Sequence, residues 1–583
     1  MNTKTPIQID HFTEFYAAVY GQQPFRWQRR LAARACVGDW PRYLKLPTAS
    51  GKTSCLDIAV FALAFQACRL ALHGDAIDMP RRIFFVVDRR IIVNEAFRRA
   101  EHLRDKLAQS LETARAPGPL RAVAEWLQQL AHGGPPLDCF ELRGGIYRDD
   151  AWVRSPLQPT LLTSTVDQVG SRLLFRGYGV SDRALPIHAA LAANDAMIIV
   201  DEAHCSNPFS QTLNAIARYR DQPLAEGETP RWAQAPLHTP SRLMEMTATP
   251  PPQRTGDLFT LEAQDYAADA PLQVRHGCAK PVQLTLSKAA GNNQNQRLAR
   301  DLVDAAQTLA DPAQALADPV DGAPCRKIAI VVNRVDCARE TFALLQQRHG
   351  ARVRLMIGRM RPLDRDALTR ELQELFGAGP KTTLDKPHFV VATQCMEVGT
   401  DLDFDGMVCQ CASLDALRQR FGRLNRLGLA EHARGVVVMA SGDLKPKRPD
   451  PIYAHALPAT WEWLANEARD ESVDFGIQAL DARLQDLDIT VQAQLNITPA
   501  DAPVLLPAHL DVLCQTGPKP QYEPDIAAFL HGPGRGVAEV QICWRADLAE
   551  PAEKMNLTHW ARTCDSAVVI CPPPHPPNAC RYR

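Results

Sequence analysis

The sequence predicts an α/β protein of two tandem parallel-sheet domains with an accessory C-terminal region, and three observations carry that expectation. Short β-branched runs alternate with helical stretches from about residue 25 to 440, the pattern of repeated strand–helix units. Those runs are apolar nearly throughout, which is how strands read when helices cover both faces of a sheet. At 583 residues the chain exceeds what one core supports, and the series breaks near Pro250–Pro252 and across the Asp-, Pro- and Ala-rich stretch Asp311–Pro324.

Taken in order, residues 1–21 form a lead, and 22–255 the first α/β domain. There a strand at Tyr43–Leu46 runs into Pro47-Thr48-Ala49-Ser50-Gly51-Lys52-Thr53, and an apolar helix follows from Ser54. Strands are expected at Ile83–Val87, Thr160–Thr163, Met197–Val200 and Arg242–Met246, with a helical insertion over 95–140. A proline-marked linker, 256–274, leads to the second domain, 275–445, with strands at Lys327–Val332, Phe389–Ala392, Met407–Cys411 and Val436–Met439. The stretch 446–583 has weaker periodicity, and its end, Pro572-Pro573-Pro574-His575-Pro576-Pro577, reads as disordered or as the stub of something longer.

Hydrophobic content of 46% and charged content of 22% are those of a globular protein. The longest apolar run, Ile58 to Phe65, is short of the roughly 20 residues that span a bilayer. Met1-Asn2-Thr3-Lys4-Thr5-Pro6 has no apolar export segment, so a cytoplasmic protein is expected. The sixteen cysteines include no Cys-x-x-Cys pair, which favours buried thiols over a structural zinc. A net charge of -1 supplies no global field for nucleic acid, so any such binding needs a local channel.

Four short segments carry the chemistry. In the first, a strand-to-helix turn whose backbone amides and helix start cradle phosphates, Thr48, Ala49, Ser50 and Gly51 form the loop. Lys52 would reach the β- and γ-phosphates of ATP, and the Thr53 hydroxyl would ligate Mg²⁺. Leu46 stands where the full G-x-x-x-x-G-K-T motif has its first glycine. The second segment is the strand ending in Asp201-Glu202-Ala203-His204. Two adjacent carboxylates there need a counter-charge, so Asp201 is assigned to Mg²⁺ and Glu202 to polarising the attacking water. His204 would connect the site to the second domain. Thr247-Ala248-Thr249-Pro250 offers the Thr247 and Thr249 hydroxyls at the domain interface. In the fourth, Gln419-Arg420-Phe421-Gly422-Arg423-Leu424-Asn425-Arg426, helical spacing lets Arg423 and Arg426 point together at a γ-phosphate as arginine fingers, beside Gln419 and Arg420. Gln28, upstream of the loop, either reads an adenine edge through its amide or is an ordinary surface glutamine.

The set resembles helicase superfamily 2, DEAH-type, with tandem RecA-like domains. Within it the chain is similar to the CRISPR-associated helicase of type I interference systems, in particular the type I-G (formerly I-U) form. The segments that carry this are Phe84-Phe85-Val86-Val87-Asp88-Arg89-Arg90, Leu142-Arg143-Gly144-Gly145, Thr163-Ser164-Thr165-Val166-Asp167-Gln168, Phe209-Ser210-Gln211-Thr212-Leu213, Thr393-Gln394-x-x-Glu397-Val398-Gly399-x-Asp401 and Trp544-Arg545-Ala546-Asp547-Leu548. The resemblance implies an ATP-driven motor moving 3′ to 5′ on single-stranded DNA, recruited by an RNA-guided surveillance complex. It further implies that Arg89, Arg90, Arg143, Thr163 and Thr165, with Asn333, Arg334 and Thr393, line the strand groove, and that Asp401 couples nucleotide to strand. The family joins its motor to an HD nuclease, yet no His-Asp dipeptide occurs here. A nuclease is therefore expected from another chain or from a missing extension.

Overall fold

In the computed structural model the described residues are 4–534 apart from 89, 114–117, 145–149, 222–240, 248–256, 312–322, 359, 379–383, 398–400, 445–448 and 522–523; side chains are not described at 90–92, 221 and 362. Met1–Pro533 forms one compact unit; the second, Gly534–Arg583, lies past its first residue outside the described residues, and with it the proline-rich end.

Apolar runs build two sheets. The first contains β1 (Tyr43–Lys45), β2 (Arg82–Val87), β3 (Asp138–Leu142), β4 (Thr160–Thr165), β5 (Ala196–Val200), β6 (Ser241–Thr247) and β7 (Leu258–Thr260) in the order β3-β4-β2-β5-β6-β1-β7, every pair parallel. The second contains β8 (Pro281–Ser287), β9 (Lys327–Val331), β10 (Val353–Met356), β11 (His388–Ala392), β12 (Gly406–Gln410), β13 (Arg434–Ala440) and β14 (Ser472–Asp474) in the order β10-β11-β9-β12-β13-β8-β14. Counted within each sheet the two orders are identical, so the second half repeats the first. Only β14 departs, pairing antiparallel with β8.

The eight strands read from continuous apolar runs correspond to β2, β4, β5, β6, β9, β11, β12 and β13. All of β2, β4 and β5 is buried, because helices cover both faces. β3 and β8 gave no such signal: only part of each is buried. Helix Cys55–His73 is buried continuously from Cys55 to Cys68. It lies under helices His11–Tyr20, Arg26–Cys36 and Gly118–Leu130, with the Phe12 and Phe61 rings 5.3 Å apart. Each such phenyl withdraws enough surface to stabilise the core by roughly 1.5–3 kcal/mol. Among the described residues it is the one helix whose span is long and apolar enough to cross a membrane, and 78% of that window is buried inside the protein.

After β13 the chain wraps both halves. Leu457, Trp463, Leu464 and Leu495 join the second-sheet core, whereas Leu505, Leu513, Ile526, Phe529 and Leu530 complete an apolar cluster under the first sheet. Main-chain carbonyls anchor this returning strap: Tyr219 donates to Leu505 at 2.7 Å, Arg176 to Leu513 at 2.8 Å and Thr212 to Phe529 at 2.5 Å. Its helices, such as Pro507–Leu513 and Ala527–His531, are a turn or two long, too short to show periodicity in sequence.

Candidate functional site

Both parallel sheets present the carboxyl ends of their strands to one cleft, where ligands of open α/β sheets bind. After β1 the backbone turns through Ala49 (φ 61°) and Gly51 (φ 82°), and a 3-10 turn at Lys52–Ser54 opens the buried helix. The Ser50 hydroxyl donates to the Pro47 carbonyl at 2.8 Å, and the Trp27 indole to the Ser50 carbonyl at 3.1 Å, so the loop is held from beneath. A side chain at Gly51 would meet the left-handed penalty and the Gln28 amide 3.0 Å away. Gln28 is held in place by the fold: its oxygen accepts from the Phe25 amide at 2.8 Å and its nitrogen donates to the Ser54 hydroxyl at 2.9 Å. It is buried, which excludes the surface-glutamine reading.

β5 delivers the acids. Glu202 occupies the left-handed region (φ 47°, ψ 49°), a conformation costing a non-glycine residue about 1–3 kcal/mol. That turn brings its carboxylate to Lys52, Nζ to Oε1 2.7 Å. Burial pulls the Lys52 ammonium down, but Glu202 and Asp201 more than offset it and hold it above the usual lysine range. Burial raises Glu202, yet Lys52 and His204 outweigh it and hold the carboxylate low. The pair is therefore ionic. Asp201 is different: burial pushes it up to about 6 against the pull of Lys52, and its Oδ1 accepts from the Glu202 amide at 3.0 Å. A buried carboxylate this poorly compensated fits a hard cation. Among the described residues no group of three or more acids, histidines or cysteines could hold a metal alone. Thr53 and Asp201 suit Mg²⁺, which binds one or two protein oxygens together with substrate phosphates.

The second sheet contributes arginines, with one correction to the sequence reading. Helix Leu414–Phe421 stops at Gly422, so Arg423 and Arg426 lie past it and do not share a helical face. They converge through a turn in which Asn425 (φ 43°) donates its amide to the Phe404 carbonyl at 2.8 Å. Arg423 donates to the Glu397 carbonyl at 3.0 Å, its Nε is buried with no hydrogen-bond partner among the described residues, and burial, then Arg426, lowers its pKa to about 9. Arg426 pairs with Asp401 at 2.8 Å. Thr48, Ala49, Gly51, Thr53, Lys52, Asp201, Glu202, Asp401, Arg423 and Arg426 line one cavity of about 400 Å³ between the two sheets, and Gln28 borders it. Ser50, within the loop, is buried. His204 spans the halves, its Nδ1 3.0 Å from the Thr247 hydroxyl and its Nε2 against the Gln419 amide.

Arg420 does not join them. It is fully buried, bonding Glu397 at 2.9 Å, the Tyr453 hydroxyl at 2.7 Å and Asn333 at 2.9 Å, because it still lies on the helix and faces inward. Asn333, placed by resemblance in the strand groove, belongs to that buried network and also donates to the Cys411 carbonyl at 2.8 Å. Thr163 and Thr165 are buried within β4, and Thr393 is buried just after β11. Arg143 is paired with Glu141 at 2.9 Å, and the half-exposed Arg334 with Asp450 at 3.0 Å. Arg89, Thr249 and the Arg90 side chain fall outside the described residues. One cleft residue had no motif to reveal it: Arg275, from the connecting helix Ala270–Gly277, donates to the Ala49 carbonyl at 2.5 Å and lies over the Phe25 ring.

Residues 325–428 match the family model described as CRISPR-associated nuclease/helicase Cas3, C-terminal. A putative CRISPR-associated nuclease/helicase Cas3 of Methanocaldococcus jannaschii is 30% identical over 100 residues, 17% of this chain and 13% of that protein. The T. fusca Cas3-AMPPNP crystal structure superposes with a TM-score of 0.51 at 17% identity, over 84% of this chain and 54% of that one. The ADP form gives 0.50 at 18%, over 84% and 55%. The chain thus spans about half the length of the T. fusca protein, and it is similar in fold and in its second-half sequence to Cas3-type superfamily 2 helicases.

Proposed function

We propose that this Cas3-like chain is a nucleic-acid-stimulated ATPase that translocates along single-stranded DNA displaced by an RNA-guided type I CRISPR complex, in antiviral defence. The observation that carries the reading is the convergence of Lys52, Glu202 and Arg423, from opposite sheets, on one cavity. In this reading residues 22–255 and 275–445 are the two gripping bodies joined by 256–274, and the protein works in the cytoplasm. The similarity to the type I-G form and the supply of nuclease chemistry by a separate HD protein or further sequence belong to the same proposal.

Without nucleotide, Lys52 and Glu202 neutralise each other. ATP phosphates entering the loop draw Lys52 away, which frees the carboxylate. Glu202 then accepts a proton from the water that attacks the γ-phosphorus, while the β–γ bridging bond breaks and ADP departs with that oxygen. Arg423 and Arg426 stabilise the charge gathering on the transferred oxygens. Thr53 and Asp201 would hold Mg²⁺, which supplies neutralisation of the β- and γ-oxygens. The Gln419–His204 contact bridges the halves; in this reading closure and hydrolysis are linked through it, and reopening advances the strand.

The test compares ATP turnover with Mg²⁺ and no nucleic acid, single-stranded DNA, or single-stranded RNA of equal length. Stimulation by DNA is expected. Equal or greater stimulation by RNA would make the chain an RNA helicase, and nucleotide binding with no turnover would make it an ATP-gated scaffold.

A further inference from the structure

A second cavity, of about 300 Å³, meets the nucleotide cavity at Thr48 and Glu202 and is lined further by His204, Gln419, Arg418 and Lys280. Lys280 is the unexplained member. It immediately precedes β8, is 3% exposed, and its ammonium donates to a neutral group, the Phe421 carbonyl, at 3.0 Å. Among the described residues it forms no ion pair, whereas Arg418 beside it is paired with Asp481 at 2.7 Å. Burial lowers Lys280 to about 8, which leaves it mainly protonated at neutral pH. A buried ammonium held by a neutral carbonyl, with Asp403 and Asp474 near enough to raise its pKa but not paired with it, gains from an anion in the adjoining cavity.

The topology says which anion. A nucleotide filling the first cavity has its base end at Tyr16, Phe25 and Gln28 and its terminal phosphate at Lys52 and Glu202. After hydrolysis orthophosphate forms at that far end, behind ADP. The second cavity begins there. We infer that it is an orthophosphate subsite on the exit route of the cleaved γ-phosphate, with Lys280 as its cation and the His204–Gln419 contact as its gate. The inference rests on the first cavity being the site of ATP hydrolysis. Because the gate contact spans both sheets, phosphate departure and separation of the halves become one event.

The test is brief acetic anhydride labelling of the intact protein, with acetylation of Lys280 read by mass spectrometry in chloride, in orthophosphate and in ADP at matched ionic strength. Orthophosphate is expected to slow Lys280 labelling in proportion to its occupancy, and ADP alone to leave it unchanged. No protection by orthophosphate overturns the inference, and equal protection by ADP does so too, by assigning the cavity to the nucleotide. Protection in a protein that hydrolyses no ATP keeps the subsite and removes the hydrolysis reading instead. In turnover assays, Lys280→Met should raise the inhibition constant for orthophosphate about tenfold relative to that for ADP, the value of one charge-assisted hydrogen bond, with Lys280→Arg retaining most of the affinity. An unchanged ratio in Lys280→Met would equally overturn it.

Discussion

Replacing Gly170 by alanine probes how the C-terminal strap is seated. Gly170 lies in helix Val166–Leu173, directly after the buried Thr163–Thr165 strand end, and a Cβ there would overlap one Leu530 methyl and stand 3.1 Å from the other. Leu530 is 1% exposed, so its side chain has little room to swing away. Two effects oppose each other. Overpacking costs about 1–3 kcal/mol, while exchanging glycine for alanine inside a helix returns about 1 kcal/mol. Gly170→Ala should therefore destabilise by about 0–2 kcal/mol. Leu530→Ala alone opens a cavity and should cost about 2–5 kcal/mol. In the double variant the new methyl fills part of that cavity and the clash is gone, so the costs should fall short of additive by about 1–3 kcal/mol. Urea unfolding of the four proteins measures the coupling. Additivity within about 0.5 kcal/mol would show that the two side chains do not meet and that the strap is seated differently.

Other consequences are as direct. Glu202→Gln should lower ATP turnover by about a hundred- to ten-thousandfold, the usual worth of a positioned general base, with the circular-dichroism spectrum unchanged; wild-type turnover would remove Glu202 from that role. Lys52→Ala should abolish turnover while strand binding, followed by fluorescence anisotropy, persists; undiminished turnover would refute the phosphate-loop assignment. His188 is buried, and burial, helped by Arg172, lowers it to about 4 from 6.5. Its folded pKa being depressed, the unfolded chain takes up the proton first, and stability should fall as pH drops from about 6.5 towards 4. Urea midpoints at pH 7 and pH 5 should differ less in His188→Gln than in the wild type; equal differences would exclude this histidine as the cause.

What the sequence reveals follows from what each feature depends on. β2 and β5 are legible because both of their faces are buried, which forces unbroken apolar runs such as Ile83–Val87 and Met197–Val200. The phosphate loop and Asp201-Glu202 are legible because their chemistry is local: a glycine at positive φ, a lysine and two acids at strand ends. Where long-range contacts decide, the pattern is silent. β14 is three residues long and exists because β8 offers it an edge. Arg275 and Lys280 belong to no motif and acquire meaning from the carbonyls they reach, at Ala49 and Phe421. Arg420 and Arg423 look equivalent in the text of their motif. The helix end at Phe421 separates them, sending one into the core and the other to the cleft.

The central claim is that residues from both sheets complete one hydrolytic cleft, and Arg423→Ala tests it most directly, since Arg423 comes from the half that carries neither Lys52 nor Glu202. With saturating ATP, Mg²⁺ and single-stranded DNA, its turnover should fall about a thousandfold, as for loss of an arginine finger, while a fluorescent ATP analogue still binds. Turnover equal to that of the wild type would mean that the first half hydrolyses ATP without the second, and the composite cleft would be wrong.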